Sequence, residues 1–389
     1  LEDKEYRDAI DVIGCHYNSY MDKNVKKLHD KYNKEVWFSE GSSVATDSIF
    51  GINNTEDKES TSGPNGMLDI ANRIIIGMAE SDMTLYEYQP SVAAYYDGTV
   101  YFPKQLIAAN TPWSGGYSVT NGLVMSMHFT NFMEKGWRIV GSGSHGDGIQ
   151  ENHCIKDTKN TYLTAADGKT GDYSTVITND SKKARTYRIK VSNLKKASSK
   201  VSLWETKSNG KSEEYDTHWL EKTGTLTPVK EGDSYVYTVT VEPYSMVTLT
   251  TTKGQKEYAE LKKKTSVDSG KEEEKLALPY SDDFQYKKEY IQRRGKTPRY
   301  TSDVNGAFEA VKLADGNRVM RQQLNKDHLP YGWSGEPTDP VTSLGDDTWK
   351  DYIVSADVML DPEEDAKNYA GICARYNAVQ SIAGNGYWL

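Results

Sequence analysis

The sequence predicts an α/β part followed by all-β parts: the C-terminal units of a (β/α)8 barrel, then a β-sandwich, then a second, incomplete β-rich module. Three observations carry this. Over residues 11–89 short apolar strands alternate with helix-competent stretches, and polar residues close each strand. From about Tyr117 the apolar period drops to two, in Val-, Thr- and Tyr-rich segments separated by Asn, Gly and Ser. Residues 253–279 then carry dense mixed charge and few large apolar groups, which reads as a linker. At 389 residues the chain exceeds one ordinary core. The expected parts are a barrel portion 1–115, a sandwich 116–252, a linker 253–279 and the second β module 280–389.

Each element follows from its local pattern. DVIGCHY (11–17) is a short strand ending on polar residues, and DKNVKKLHDKYNK (22–34) is a charged helix. EVWFSE (35–40) is a second apolar strand, closed by a carboxylate and Gly-Ser-Ser. After a polar loop from Gly51 to Pro64, LDIANRIIIGMAESD shows apolar residues at helical spacing, and MTLYEYQP is a third strand. Three strands cannot close an eight-stranded barrel, so the earlier units are expected before Leu1 and the chain reads as a piece cut at both ends. YSTVITND, ARTYRIKVSN, KVSLWET, SYVYTVTVEP and SMVTLTTT supply the sandwich strands. DDF, GAFEAVKL, NRVMRQQL and WKDYIVSADVML are the strand candidates of the last module.

Composition narrows the function. The net charge of -9 argues against nucleic acid, which needs a basic face. Tyr (27) outnumbers Phe (7), giving the polar aromatic surface that hydroxylated ligands favour. No apolar run approaches the roughly 18–20 residues of a membrane helix. Cys15, Cys154 and Cys373 show neither a disulfide framework nor zinc-ligand spacing. Asn53-Asn54-Thr55 and Asn179-Asp180-Ser181 fit the glycosylation pattern, which arises often by chance.

In a barrel of this type the strand C-termini form the active-site face. The three ends offer His16 and Tyr17, then Ser39 and Glu40, then Glu87, Tyr88 and Gln89. A carboxylate among His, Tyr and Ser donors suits a nucleophile for an anomeric carbon, kept ionised by those donors. A retaining glycosidase also needs a protonated carboxyl about 5–5.5 Å away, and by strand position Glu87 is the visible candidate. Against these stand blander readings. Glu40 could be a loop carboxylate, His16 a strand-end filler, and Ser39 and Ser43 partners for turn backbone. Trp113 and Trp333 could be buried for area alone.

DVIGCHY, VWFSEGSS, AAYYDG and NTPWSGGY together resemble the galactocerebrosidase family, glycoside hydrolase family 59, a retaining clan A barrel. The resemblance implies that Glu40 is the nucleophile. It implies a proton donor in an Asn-Glu pair on an upstream strand, and no such pair precedes residue 11. Glu87 then becomes a pocket residue, and residues 1–389 alone are expected to be inactive. His16, Tyr17, Ser43, Glu87, Tyr88 and Trp113 are the expected substrate-binding residues. YSDDFQY, FEAVKL, RQQLN, YGWSGEP and LGDDTWKDYIVSADVML are similar to that family's lectin-like domain, so the last module is expected to be a truncated lectin-like β-sandwich. The resemblance places Trp333 at the sugar pocket and implies a structural calcium site in that domain, with no cofactor for catalysis. The implied substrate is galactosylceramide or a related β-galactoside. A glucosylceramidase-like clan A enzyme and a non-catalytic carbohydrate-binding protein are the alternatives. The third strand end reads YEYQP where the family carries a Trp, which bears on the aglycone. Family members in animals are lysosomal, while the composition points to a secreted or cell-surface bacterial protein.

Overall fold

The structure is a computed structural model that describes residues 1–16, 23–41, 64–89, 91–94, 106–109, 118–119, 121–151, 154–207, 219–255, 276–324, 339–345, 349–360, 368–377 and 385–389. A short helix α1 (Lys4–Asp8), capped by Asp3 accepting from the Tyr6 amide, leads into β1 (Val12–His16). There follow α2 (Lys23–Tyr32), β2 (Glu35–Gly41), α3 (Pro64–Glu80) and β3 (Met83–Tyr88). The three strands form one parallel sheet in the order β1-β2-β3. Parallel neighbours need a crossover, and α2 and α3 supply it. Val25, Val36, Phe38, Ile76, Met83 and Ile155 are buried together between these helices and the sheet, and the Phe38 and Tyr86 rings stack 4.5 Å apart.

β4 (Val92–Ala94), β5 (Ile107–Ala109) and β6 (Ser118–Val119) are short, and β5 pairs antiparallel with β6. Residues 121–130 form α4 (Asn121–Thr130), a helix inside the stretch expected to be sandwich. Its apolar residues recur at helical rather than strand spacing, and Val124, Met125, His128 and Phe129 are buried.

The antiparallel strands are β7 (Arg138–Ile139), β8 (Ile149–Glu151), β9 (Cys154–Lys156), β10 (Thr161–Ala166), β11 (Tyr173–Asn179), β12 (Arg185–Val191), β13 (Val201–Lys207), β14 (Glu221–Leu226), β15 (Val229–Glu231), β16 (Ser234–Val241) and β17 (Ser245–Thr250). Six of them make a sheet in the order β14-β13-β17-β11-β10-β7, and three make a second in the order β12-β16-β15. Tyr173, Ile177, Val191, Val201, Tyr237, Val239, Val241, Val247 and Leu249 form one core of these strands. β11 is buried at every residue, because the six-stranded sheet is covered on both faces. On its other face Leu163, Val176 and Met246 pack against Leu68, Ile70, Ala71, Ile74 and Ile75 of α3 and Met125 and Phe129 of α4. Helix α3 thus serves two layers at once, with Ile76 toward the parallel sheet and Leu68 and Ile75 toward the antiparallel one. Its polar residues Asp69, Asn72 and Arg73 are buried for the same reason.

The chain divides into two compact units, residues 1–93, 101–108 and 118–269 against residues 94–100, 109–117 and 270–389. The second unit holds α5 (Lys288–Arg294), β18 (Thr301–Asn305), β19 (Phe308–Lys312), β20 (Arg318–Gln322), β21 (Val341–Leu344), β22 (Cys373–Asn377) and β23 (Asn385–Trp388). They pair as three two-stranded sheets, β18-β21, β19-β20 and β22-β23. Two sequence expectations fail here. Residues 282–284 form no strand, since Asp282 instead accepts the Tyr280 and Tyr286 hydroxyls and the Phe284 amide. WKDYIVSADVML forms no strand at residues 352–360 and finds no ladder partner among the described residues, and Ile353 is 96% exposed.

The glycosylation match at Asn179 has a structural use instead. Asn179 is fully buried, and its amide nitrogen donates to the carbonyls of Lys183, Val241 and Glu242. A glycan cannot be attached there without dismantling that turn.

Candidate active site

The C-terminal ends of β1, β2 and β3 lie side by side, so His16, Glu40 and the pair Glu87–Tyr88 close three neighbouring parallel strands. Which face each side chain takes is decided by strand phase. In β2, Val36 and Phe38 are wholly buried on the helix-covered face. Strict alternation would return Glu40 to that apolar face, where an unpaired carboxylate is costly.

The pairing of β2 prevents this. Cys15 lies opposite Phe38, but the next residue of β1, His16, lies opposite Glu40, leaving Ser39 as an extra residue. On the other side Phe38 faces Tyr86 and Gly41 faces Tyr88, three steps of β2 against two of β3. Both neighbours therefore register one inserted residue between Phe38 and Gly41. Such a bulge turns the following side chain to the opposite face. Glu40 consequently leaves the core side and meets His16, with its Oε2 3.6 Å from the imidazole Nδ1. The Glu40 side chain is 26% exposed and that of His16 54%.

Two features brace the turn. The Ser39 hydroxyl donates to the Cys15 carbonyl at 3.4 Å. A Cβ on Gly14 would lie 2.7 Å from that hydroxyl oxygen, so the missing side chain leaves room for it. At the opposite end of β2, Glu35 is exposed, and hydrogen bonds from Thr84 and then Trp37 hold its carboxyl below the usual range. It lies at the strand's N-terminal end, away from Glu40.

The other expected site residues fall as follows. Glu87 is exposed, one step out of phase with Tyr86 and Tyr88. The Tyr88 ring packs against the apolar cluster built on α3. Tyr17, Ser43, Trp113 and Trp333 lie outside the described residues. Ser39 takes the turn-backbone partner that its sequence position allows, the Cys15 carbonyl, and its hydroxyl lies over Gly14, which the sequence does not single out.

A calcium ion wants six or more oxygen ligands. Among the described residues, one group of acidic and imidazole side chains converges, His29, Asp30 and Asp82, with ligand atoms within 4.8 Å of one another. It lies at α2 and the start of β3, outside the lectin-like stretch. An imidazole is a poor calcium ligand, and the Lys26 ammonium already pairs with Asp82. These residues do not fit the implied ion, and no chemistry is routed through one.

Comparison with known proteins bears on the same strand ends. Residues 1–131 match the family model described as glycosyl hydrolase family 59. That span contains β1, β2 and β3. Galactocerebrosidases of mouse, dog and human are similar to the whole chain, at 24%, 26% and 25% identity over 409, 408 and 409 aligned residues. The matches take in all of this chain and 53%, 54% and 53% of those relatives, so the chain spans about half their length. Among solved structures, a family 30 endoxylanase from Clostridium papyrosolvens aligns with a TM-score of 0.42 and 16% identity, over 64% of this chain and 50% of that one. A family 51 α-L-arabinofuranosidase from Thermotoga petrophila aligns at 0.40 and 14%, over 63% and 53%.

Proposed function

We propose that this chain carries the nucleophile side of a retaining glycosidase that removes terminal β-galactosyl groups from galactosylceramide-type glycolipids or related β-galactosides. The observation that carries the reading is the turn of Glu40 off the buried face of β2 and beside His16. The family 59 match over the same strands and the galactocerebrosidase relatives support the choice of chemistry.

In this mechanism a Glu40 carboxylate oxygen attacks the anomeric carbon as the bond to the leaving oxygen breaks, giving a galactosyl ester on the enzyme. A second carboxyl protonates the leaving oxygen, then takes a proton from the water that cleaves the ester. His16, with Tyr17 and Ser43, orients the nucleophile and holds sugar hydroxyls. The proton donor is assigned outside residues 1–389, on a preceding strand of the (β/α)8 barrel of which β1–β3 form part. Glu87 is left to line the pocket. The same reading places the protein outside a bacterial cell or, in an animal, in the lysosome. No helix among the described residues is long and apolar enough to cross a membrane.

The test is covalent. A galactoside activated at C1 and fluorinated at C2 should accumulate as an ester on Glu40 in the gene product carrying this chain, detected by peptide mass. Glu40→Gln should abolish hydrolysis of an aryl β-galactoside while keeping galactoside binding. Label on another carboxylate would overturn the nucleophile, and loss of turnover in Glu87→Gln with Glu40 labelling intact would reassign the proton donor.

A further inference from the structure

Glu40 reaches His16 because one extra residue is accommodated in β2, and an extra residue needs a place for its own side chain. Ser39 is that residue, opposed to nothing on β1 while Phe38 and Glu40 are paired. A bulged residue loses its ladder contacts, so something else must hold it. Two things do. Its hydroxyl donates to the carbonyl of Cys15, the last regular pairing position before the irregularity. The hydroxyl also occupies the space above Gly14, where any Cβ would stand 2.7 Å from Oγ but at an ordinary 3.5 Å from the Ser39 Cβ.

We propose that Ser39 and Gly14 are a positioning pair: the Ser39 hydroxyl, seated over Gly14 and bonded to the Cys15 carbonyl, fixes the bulge that delivers Glu40 to His16. The inference rests on Glu40 acting as nucleophile. An alanine at Gly14 pushes the hydroxyl into another rotamer and breaks its bond to Cys15, which is what removing the hydroxyl does directly. The two substitutions therefore remove one and the same constraint. Neither residue touches substrate in this scheme, so the loss falls on the attack step rather than on binding.

The experiment compares Gly14→Ala, Ser39→Ala and the double variant with the unaltered gene product, using an aryl β-galactoside and the fluorinated galactoside that labels Glu40. Each single variant should lower kcat and the labelling rate by roughly 3–10-fold, the worth of one hydrogen bond, with KM little changed. The double variant should be no slower than the slower single one, because its Cβ–Cβ contact is relaxed and no hydroxyl remains to displace. Multiplicative losses in the double variant would show independent roles and overturn the pair. Labelling of Ser39→Ala at the unaltered rate would also overturn it, even if Gly14→Ala fails to fold. In either case label on Glu40 in the unaltered protein leaves the nucleophile standing. No label there removes the nucleophile reading itself.

Discussion

At the scale of single residues, His128 shows how completely this chain can bury an ionisable group. It sits on α4 against the six-stranded sheet, its Nδ1 2.8 Å from the Thr248 hydroxyl and its Nε2 2.7 Å from that of Thr206. Thr248 donates its proton to the His128 carbonyl, so Nδ1 must be the donor to Thr248. Thr206 accepts from the Leu220 amide and gives its proton to Nε2. The ring is thereby fixed as the neutral Nδ1–H tautomer, and burial pushes its pKa from 6.5 down to about 3. The unfolded chain binds the proton near pH 6.5 and the folded one does not. Stability from this group is thus complete above pH 6.5 and is lost as pH falls toward 3, at about 1.4 kcal/mol per pH unit. Urea unfolding at pH 7, 5 and 4 should show that slope, and His128→Gln should remove it. A lone His in NGLVMSMHFTNFM gives no sign of this, because the threonines that hold it are 78 and 120 residues away.

At the scale of elements, strands and helices of the first unit were largely legible, since burial on one face imposes a period. The bulge in β2 was legible only as an anomaly: VWFSE places a carboxylate where alternation demands an apolar residue, and the resolution depends on registers with two other strands. The sequence of α3 shows apolar residues at helical spacing, yet the helix is buried on nearly every side because a second sheet covers what would have been its solvent face. That explains Arg73, wholly buried with its Nε 2.8 Å from Asp69, whose other oxygen accepts the Ile155 amide at 2.6 Å. Such a pair becomes costly when one member is removed. Arg73→Met should lower unfolding free energy by about 3–5 kcal/mol, read by chemical denaturation.

At the scale of the whole molecule, the sequence's division into barrel portion and sandwich describes period, while the core does not stop where the period changes. Leu68, Ile75, Leu163, Val176 and Met246 form one cluster drawn from both. Residues 1–115 expressed alone should therefore lack cooperative thermal unfolding, whereas residues 1–255 should show it by circular dichroism. The second unit was the least legible part. A local strand pattern cannot say whether a neighbour exists to complete the ladder. Trp349 donates to the Leu276 carbonyl and Tyr352 accepts from the Arg375 amide, while residues 353–360 are exposed. With Ile353, Val358 and Met359 exposed and no ladder partner among the described residues, this stretch is an adhesive apolar surface. Crowding would bring two such stretches together, so their exposed apolar side chains set a ceiling on the protein's solubility.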